Sequence, residues 1–272
     1  MKFLNIACGN IFINNKDWTN IDFTTNSPDI QKVDLLNGLP FKDNSFDVIY
    51  SSHFIEHIPK NHLNTFLSDC HRILKPNGII RLITPDLEFL ISEYSLHIAN
   101  KDFIKSDFVI ELLLDQTVRL VSGGNLALVI NKIKNSEDED VKNYVKKLLG
   151  PNIFSEVIIS SESQFRKVIG RVQKDPKIII NILSLIWIRL VIRLLPKAFR
   201  NTNVSLASIG EKHMWVYDFF TLNNALNEAG FCETIKCDFD KSMFDSFIFE
   251  ELDLTKSYPR KGCHQLFVES KK

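Results

Sequence analysis

The chain has 272 residues, 44% hydrophobic and 24% charged, the composition of a soluble globular protein of one large domain or two small ones. Lys plus Arg (33) balances Asp plus Glu (33), which excludes a global basic field able to gather nucleic acid by counterion release. Five scattered cysteines without a C-x-x-C pair exclude a disulfide framework and a cysteine-rich zinc site, and point to a reducing, cytoplasmic setting.

In chain order, Lys2 to Ala7 is a β-favouring apolar run broken by Cys8-Gly9-Asn10, and Trp18 to Phe23 is a second. The apolar residues ahead of Cys8 are too few for the core of a signal peptide. A third strand is expected around Gln31 to Leu36, turn chemistry over "NGLPFKDNS", and a fourth strand from Phe46 to Ser51. Leu63, Phe66, Leu67, Cys70, Ile73 and Leu74 recur at helical intervals through residues 60–74, "KPNG" reads as the stop, and Ile79 to Thr84 as a fifth strand. Such alternation predicts crossover units in a parallel sheet, with a ligand site at the carboxyl ends of the strands. The residues there are Cys8-Gly9-Asn10, Asp22, Asp34-Leu35, Ser51 to His57 and Pro85-Asp86. Glycine lets backbone approach a ligand closely, a carboxylate ending the second strand can accept from both hydroxyls of a ribose, and Asp34 can accept from an exocyclic amine. Each residue taken singly is more simply structural or solvated; the ordered set carries the weight.

Set out together, "LNIACGN", "WTNIDF", "DLLNGLPFKDNSFDVIYSSHFIEHI", "RILKPNGIIRLITPDLEFL" and the downstream "HMWVYDFFTLNNALNEAGF" make the sequence resemble the class I S-adenosylmethionine-dependent methyltransferases, over roughly residues 2–94 and 211–270. The resemblance implies an α/β, Rossmann-like, seven-stranded and mostly parallel sheet with helices on both faces, ending in an antiparallel pair. It implies S-adenosylmethionine as cofactor, held by the turn Ala7, Cys8 and Gly9, by Asp22 at the ribose and by Asp34 and Leu35 near the adenine, with Ser51, Ser52 and His53 on the methyl-transfer side. The family's usual G-x-G-x-G turn keeps only its central glycine here, Gly9. Gly9 and Asp22 are 13 positions apart, against about 20 in the dinucleotide fingerprint, so a loop or single turn must replace the first crossover helix.

His53, Glu56 and His57 spell H-x-x-E-H, the spacing of inverted zinc peptidases. A peptidase needs that spacing on a sustained helix, and Pro59 leaves about one turn. A divalent ion orienting a substrate oxygen is a second reading, since similar ubiquinone-pathway O-methyltransferases carry a metal-binding cluster at this place. In a third, Glu56 and His57 pack around the turn while His53 alone faces the pocket. The third is the simplest, and no metal is expected. Methyl transfer requires alignment and often a base; His53 is the first candidate, Asp86 and His213 the next, each with a local capping or surface role as its alternative. The chain lacks the Asp/Asn-Pro-Pro-aromatic string of the family's nucleic-acid amino-methyltransferases, so no nucleic-acid substrate is expected.

The expected organisation is a core of residues 1–96 and 211–272 interrupted by a mainly helical cap, 97–210, with helices around 103–121, 125–134 and 139–149. Residues 177–200, with five basic side chains and no acid, read either as a cap helix packed internally or as an interfacial helix meeting a membrane peripherally. "TLNNALNEAGF" is an amphipathic helix closed by Gly230, and Cys232 to Phe239 and Cys263 to Glu269 are the last strands. The function expected is methyl transfer from S-adenosylmethionine to a small-molecule, glycan or lipid-linked acceptor. The alternatives are a non-catalytic scaffold that retains the fold and, less simply, a metal-dependent hydrolase using H-x-x-E-H.

Overall fold

In the computed structural model, residues 1–25, 27–156, 187–188, 190–197, 199–200, 204, 210–244, 247–255 and 258–272 are described. Four strands alternate with loops and one helix at the start: β1 (Phe3–Ile6), β2 (Trp18–Asp22), β3 (Gln31–Lys32), β4 (Phe46–Ser52), a 3-10 turn (Ile55–His57) and α1 (Lys60–Ile73). Next come β5 (Leu74–Pro85), α2 (Leu87–Ala99), α3 (Phe103–Val118), α4 (Gly124–Lys134), α5 (Glu139–Leu149) and α6 (Ile153–Glu156). The chain closes with α7 (Phe219–Glu228), β6 (Cys232–Cys237), α8 (Glu250–Asp253), the small pair β7 (Leu254–Thr255) and β8 (Tyr258–Pro259), and β9 (Gln265–Lys271).

Seven strands form one sheet in the order β3-β2-β1-β4-β5-β9-β6. The first five are parallel to their neighbours, and β9 runs antiparallel between β5 and β6. The central strands read as continuous apolar runs because both of their faces are covered. On one face α1 buries Leu63, Phe66, Leu67, Cys70 and Ile73, the residues whose spacing predicts the helix, and α7 adds Leu222 and Leu226. The opposite face packs the β1–β2 loop through Ile13 and an aromatic segment through Phe249, so its helical cover among the described residues is the short α8.

Two sequence expectations are modified. The third strand is only two residues long, after which Val33 N–H donates to Asp22 O and the chain turns away. "KPNG" ends α1 but does not interrupt the sheet: β5 begins at Leu74, and Asn77, at φ 63, is absorbed within it beside a register shift opposite Phe46 and Val48.

Helices α3, α4 and α5 stand where the periodicity places them and share a second core with Leu90 of α2. Asp102 and Asp138 cap α3 and α5 by accepting from the N–H of Lys105 and Val141. This helical unit touches the sheet's rim at two places. His213 N–H donates to Gln116 O, and Cys263 N–H donates to Lys147 O while His264 Nδ1 lies 2.5 Å from Leu148 O. The second contact requires glycine: Gly262 has φ +85, and a Cβ there would lie 1.9 Å from Leu148 O. Gly262→Ala is expected to destabilise the fold by about 1–3 kcal/mol, read as a lowered urea midpoint with unchanged slope. Most of residues 177–200 lies outside the described residues, and the reading of that stretch with it. Among the described residues, no helix is long and apolar enough to cross a membrane.

Candidate active site

The carboxyl ends of β1, β2 and β4 open onto two adjoining cavities. The larger, about 1000 Å³, runs from Asp22, Thr24 and Ile30 past Leu35 and Leu36 to Phe54, His57, Lys212 and Met214. The smaller, about 260 Å³, is bounded by Tyr50, Ser52, Leu252, Asp253, Lys261 and Gln265. Four residues border both: Ala7, Gly9, Asn10 and His53. His53 therefore stands where the two spaces meet.

The glycine turn is built for close approach. Gly9 has φ +56, and a Cβ built there would meet nothing within 4 Å, so the space beside its backbone is open. Asp22 holds the turn in place, accepting from Gly9 N–H and Thr24 N–H, each at 2.9 Å. Two backbone bonds leave lone-pair positions on an ionised carboxylate, so Asp22 retains acceptor capacity toward the larger cavity. Cys8 is buried, and burial, reinforced by the Asp22 charge, pushes its thiol up to about 12. It remains a neutral thiol at neutral pH and lines only the smaller cavity.

The remaining sequence candidates separate. Leu35 lines the larger cavity, whereas Asp34 is exposed and accepts from Leu36 N–H and Asn37 Nδ2 within its own turn. Ser52 borders the smaller cavity; Ser51 is buried and donates to Ile6 O. Asp86 borders neither cavity. It caps α2 by accepting from the N–H of Glu88 and Phe89, and pairs with Lys236 at 2.8 Å. His213 is buried with its ring centroid 4.8 Å from that of His57, and its neighbours Lys212 and Met214 line the larger cavity. Of the three proposed bases, His53 alone reaches the cavities.

A buried carboxylate, Glu56, lies beneath His53. It is fully buried, and His53 Nδ1 stands 3.2 Å from its Oε1. Burial pushes the Glu56 carboxyl up, but His53 and the nearby imidazoles of His57 and His213 outweigh this and hold it down to about 2. His53 is shifted down, first by burial and then by the Lys261 charge, with Glu56 opposing both. The stable pairing at neutral pH is an ionised Glu56 beside a neutral His53. Glu56, His57 and His213 also offer ligand atoms within 4.8 Å of one another, the grouping among the described residues closest to a metal-binding set. His57 Nδ1 lies 2.9 Å from Lys212 O.

Residues 13–82 match the model of a methyltransferase domain. That stretch, from the β1–β2 loop into β5, is where the chain is similar to a methyltransferase domain. The chain is similar to a solved S-adenosylmethionine-dependent methyltransferase from Archaeoglobus fulgidus, at 12% identity over 100% of this chain and 86% of the other, TM-score 0.39. One from Thermotoga maritima aligns at 12% identity over 100% and 82%, TM-score 0.39. A phosphoethanolamine N-methyltransferase of Haemonchus contortus, solved with phosphoethanolamine and S-adenosylhomocysteine, aligns at 14% identity over 32% of this chain and 22% of the other, TM-score 0.26. No curated protein sequence matches the chain.

Sequence reasoning passed over Lys212, Met214, Lys261 and Gln265 as wall residues, because they reach the site from beyond the cap and from the approach to β9. The string "KHMWVYD" was a usable signal for the first pair, although it drew attention to His213, which is not part of the cavity lining.

Proposed function

We propose that the chain is an S-adenosylmethionine-dependent methyltransferase that binds this cofactor in the larger cavity and methylates a small-molecule, glycan or lipid-linked acceptor held in the smaller one, with His53 as general base. The observation that carries this reading is the position of His53 at the border of both cavities, with a buried Nε2 that makes no well-aligned hydrogen bond among the described residues and has the Gln265 side chain near the ring. The open space beside Gly9 and the remaining acceptor capacity of Asp22 fit a bulky nucleoside cofactor with a ribose diol, and Leu35 and Leu36 supply apolar contact for a base. When bound, the cofactor supplies a methyl group on a sulfonium: the sulfur–carbon bond breaks as the acceptor–carbon bond forms, and the electron pair stays on sulfur. His53 Nε2 receives the proton that the acceptor gives up, and the walls built by Ala7, Asn10 and Ser52 confine the two reactants to an in-line approach. These groups come from residues 1–96 and 211–272, which we read as the core.

Amide shift mapping of the full chain with S-adenosylhomocysteine tests the placement. Saturable shifts at Gly9, Thr24, Leu36 and His53 are expected; saturable binding whose shifts fall elsewhere would overturn it.

A further inference from the structure

We infer that Glu56 is a positioning residue for His53, holding the imidazole as its Nδ1–H tautomer so that Nε2 is presented as the proton acceptor at the junction of the cavities. The inference rests on the reading of His53 as the base and adds how that base is kept in its working form.

Three observations converge on it. Glu56 is fully buried, neither of its oxygens has a well-aligned hydrogen bond among the described residues, and His53 Nδ1 is 3.2 Å from Oε1. A buried carboxylate left without a donor costs several kcal/mol, and the His53 ring N–H stands within reach. Such bonds are often poorly aligned before substrate binds and tighten on binding. Secondly, Glu56 is pinned. Its carbonyl accepts from Met214 N–H at 2.7 Å and Trp215 N–H at 3.1 Å, which ties it to the segment closing the larger cavity. Thirdly, His53 is held in the left-handed region, uncommon for a residue other than glycine, with φ +54, while its N–H donates to Ile83 O at 2.8 Å. Strain of this kind persists where surrounding contacts over-determine a side chain's direction.

A neutral imidazole that gives Nδ1–H to a carboxylate has a lone pair on Nε2. When Nε2 takes the acceptor's proton the ring becomes an imidazolium, and Glu56 is the acid beside it. The other titratable groups facing the ring are Lys261 and His264, which oppose that charge, and His213 across Glu56. Removing Glu56 would thus alter both the tautomer and the ease of protonation, whereas a carboxylate that only filled space would alter neither.

The test is a long-range proton–nitrogen spectrum of the histidine rings in the ¹⁵N-labelled full chain, which reads the tautomer without any acceptor. Wild-type His53 is expected to be predominantly Nδ1–H. In Glu56→Leu the population should move toward Nε2–H. Glu56→Gln, which keeps the shape and an acceptor oxygen, should retain Nδ1–H but protonate at a pH lower by roughly one unit or more. A wild-type ring that is predominantly Nε2–H, or an unchanged tautomer in a folded Glu56→Leu, would overturn the inference. The wild-type spectrum alone decides if the leucine variant does not fold. Failure of the underlying reading shows differently, as His53 resonances that do not respond to saturating S-adenosylhomocysteine whatever their tautomer.

Discussion

Arg81→Met is expected to remove about 3–5 kcal/mol of stability, a large part of the roughly 5–15 kcal/mol that holds a domain together. Arg81 is fully buried in β5 and pairs with Asp253 at 2.9 Å and Glu269 at 2.6 Å, while also donating to the carbonyls of Lys241 and Phe239. Its guanidinium carbon lies 4.9 Å from the Phe249 ring centre and 5.1 Å from that of Phe267. One side chain thus fastens the aromatic segment to the back of the sheet, and with it Leu252 and Asp253 of the smaller cavity's wall. Methionine fills comparable space but leaves two buried carboxyls without their cation. Burial already raises the Asp253 carboxyl, with Arg81 opposing, so losing the arginine raises it further. A carboxyl whose folded pKa lies above its unfolded value costs stability above the unfolded pKa, and the cost disappears as pH falls below it. The deficit should therefore be larger at pH 7.5 than at pH 5, measured by urea unfolding. Adding Asp253→Asn and Glu269→Gln should recover part of it. An Arg81→Met chain as stable as wild type would show that the buried network does not hold this face.

Asp22→Ala is expected to weaken S-adenosylhomocysteine on the order of a hundredfold or more. Hydrogen bonds to a charged group contribute about 1.5–3 kcal/mol each, and every 1.4 kcal/mol is about tenfold in affinity; two ribose hydroxyls would be lost together. The variant also releases Gly9 N–H and Thr24 N–H from their shared acceptor, loosening the turn that faces the cavity. Asp22→Asn separates the two effects, since its carbonyl oxygen can keep one backbone bond while the charge is gone. It should fall between wild type and alanine. Asp22 sits at the rim of the sheet, outside the buried core, so both variants should keep cooperative unfolding.

The features legible in the sequence were those set by local period and local chemistry. Leu63, Phe66, Leu67, Cys70 and Ile73 announced α1, and apolar spacing placed α3, α4 and α5 within a few residues. The 13-residue interval from Gly9 to Asp22 showed that no crossover helix separates β1 from β2, and a loop stands there. What could not be read depended on distant partners. "KPNG" looks like a turn, yet pairing with β4 and β9 absorbs it into β5. Asp86 and Asp34 occupy strand ends where ligands bind, but an N-cap and an Asx-type turn claim their carboxylates. Glu56 appeared as one letter of a metal motif. Its burial beneath His53 depends on the segment at Met214, more than 150 positions away, which no local pattern reveals.

The central claim is that a nucleoside cofactor occupies the cavity between Asp22 and His53, and a calorimetric titration of the full wild-type chain with S-adenosylhomocysteine tests it most directly. Saturable binding at one site per chain, weakened in Asp22→Ala, is expected. No binding at millimolar ligand, or binding of equal strength in the folded Asp22→Ala chain, would contradict it.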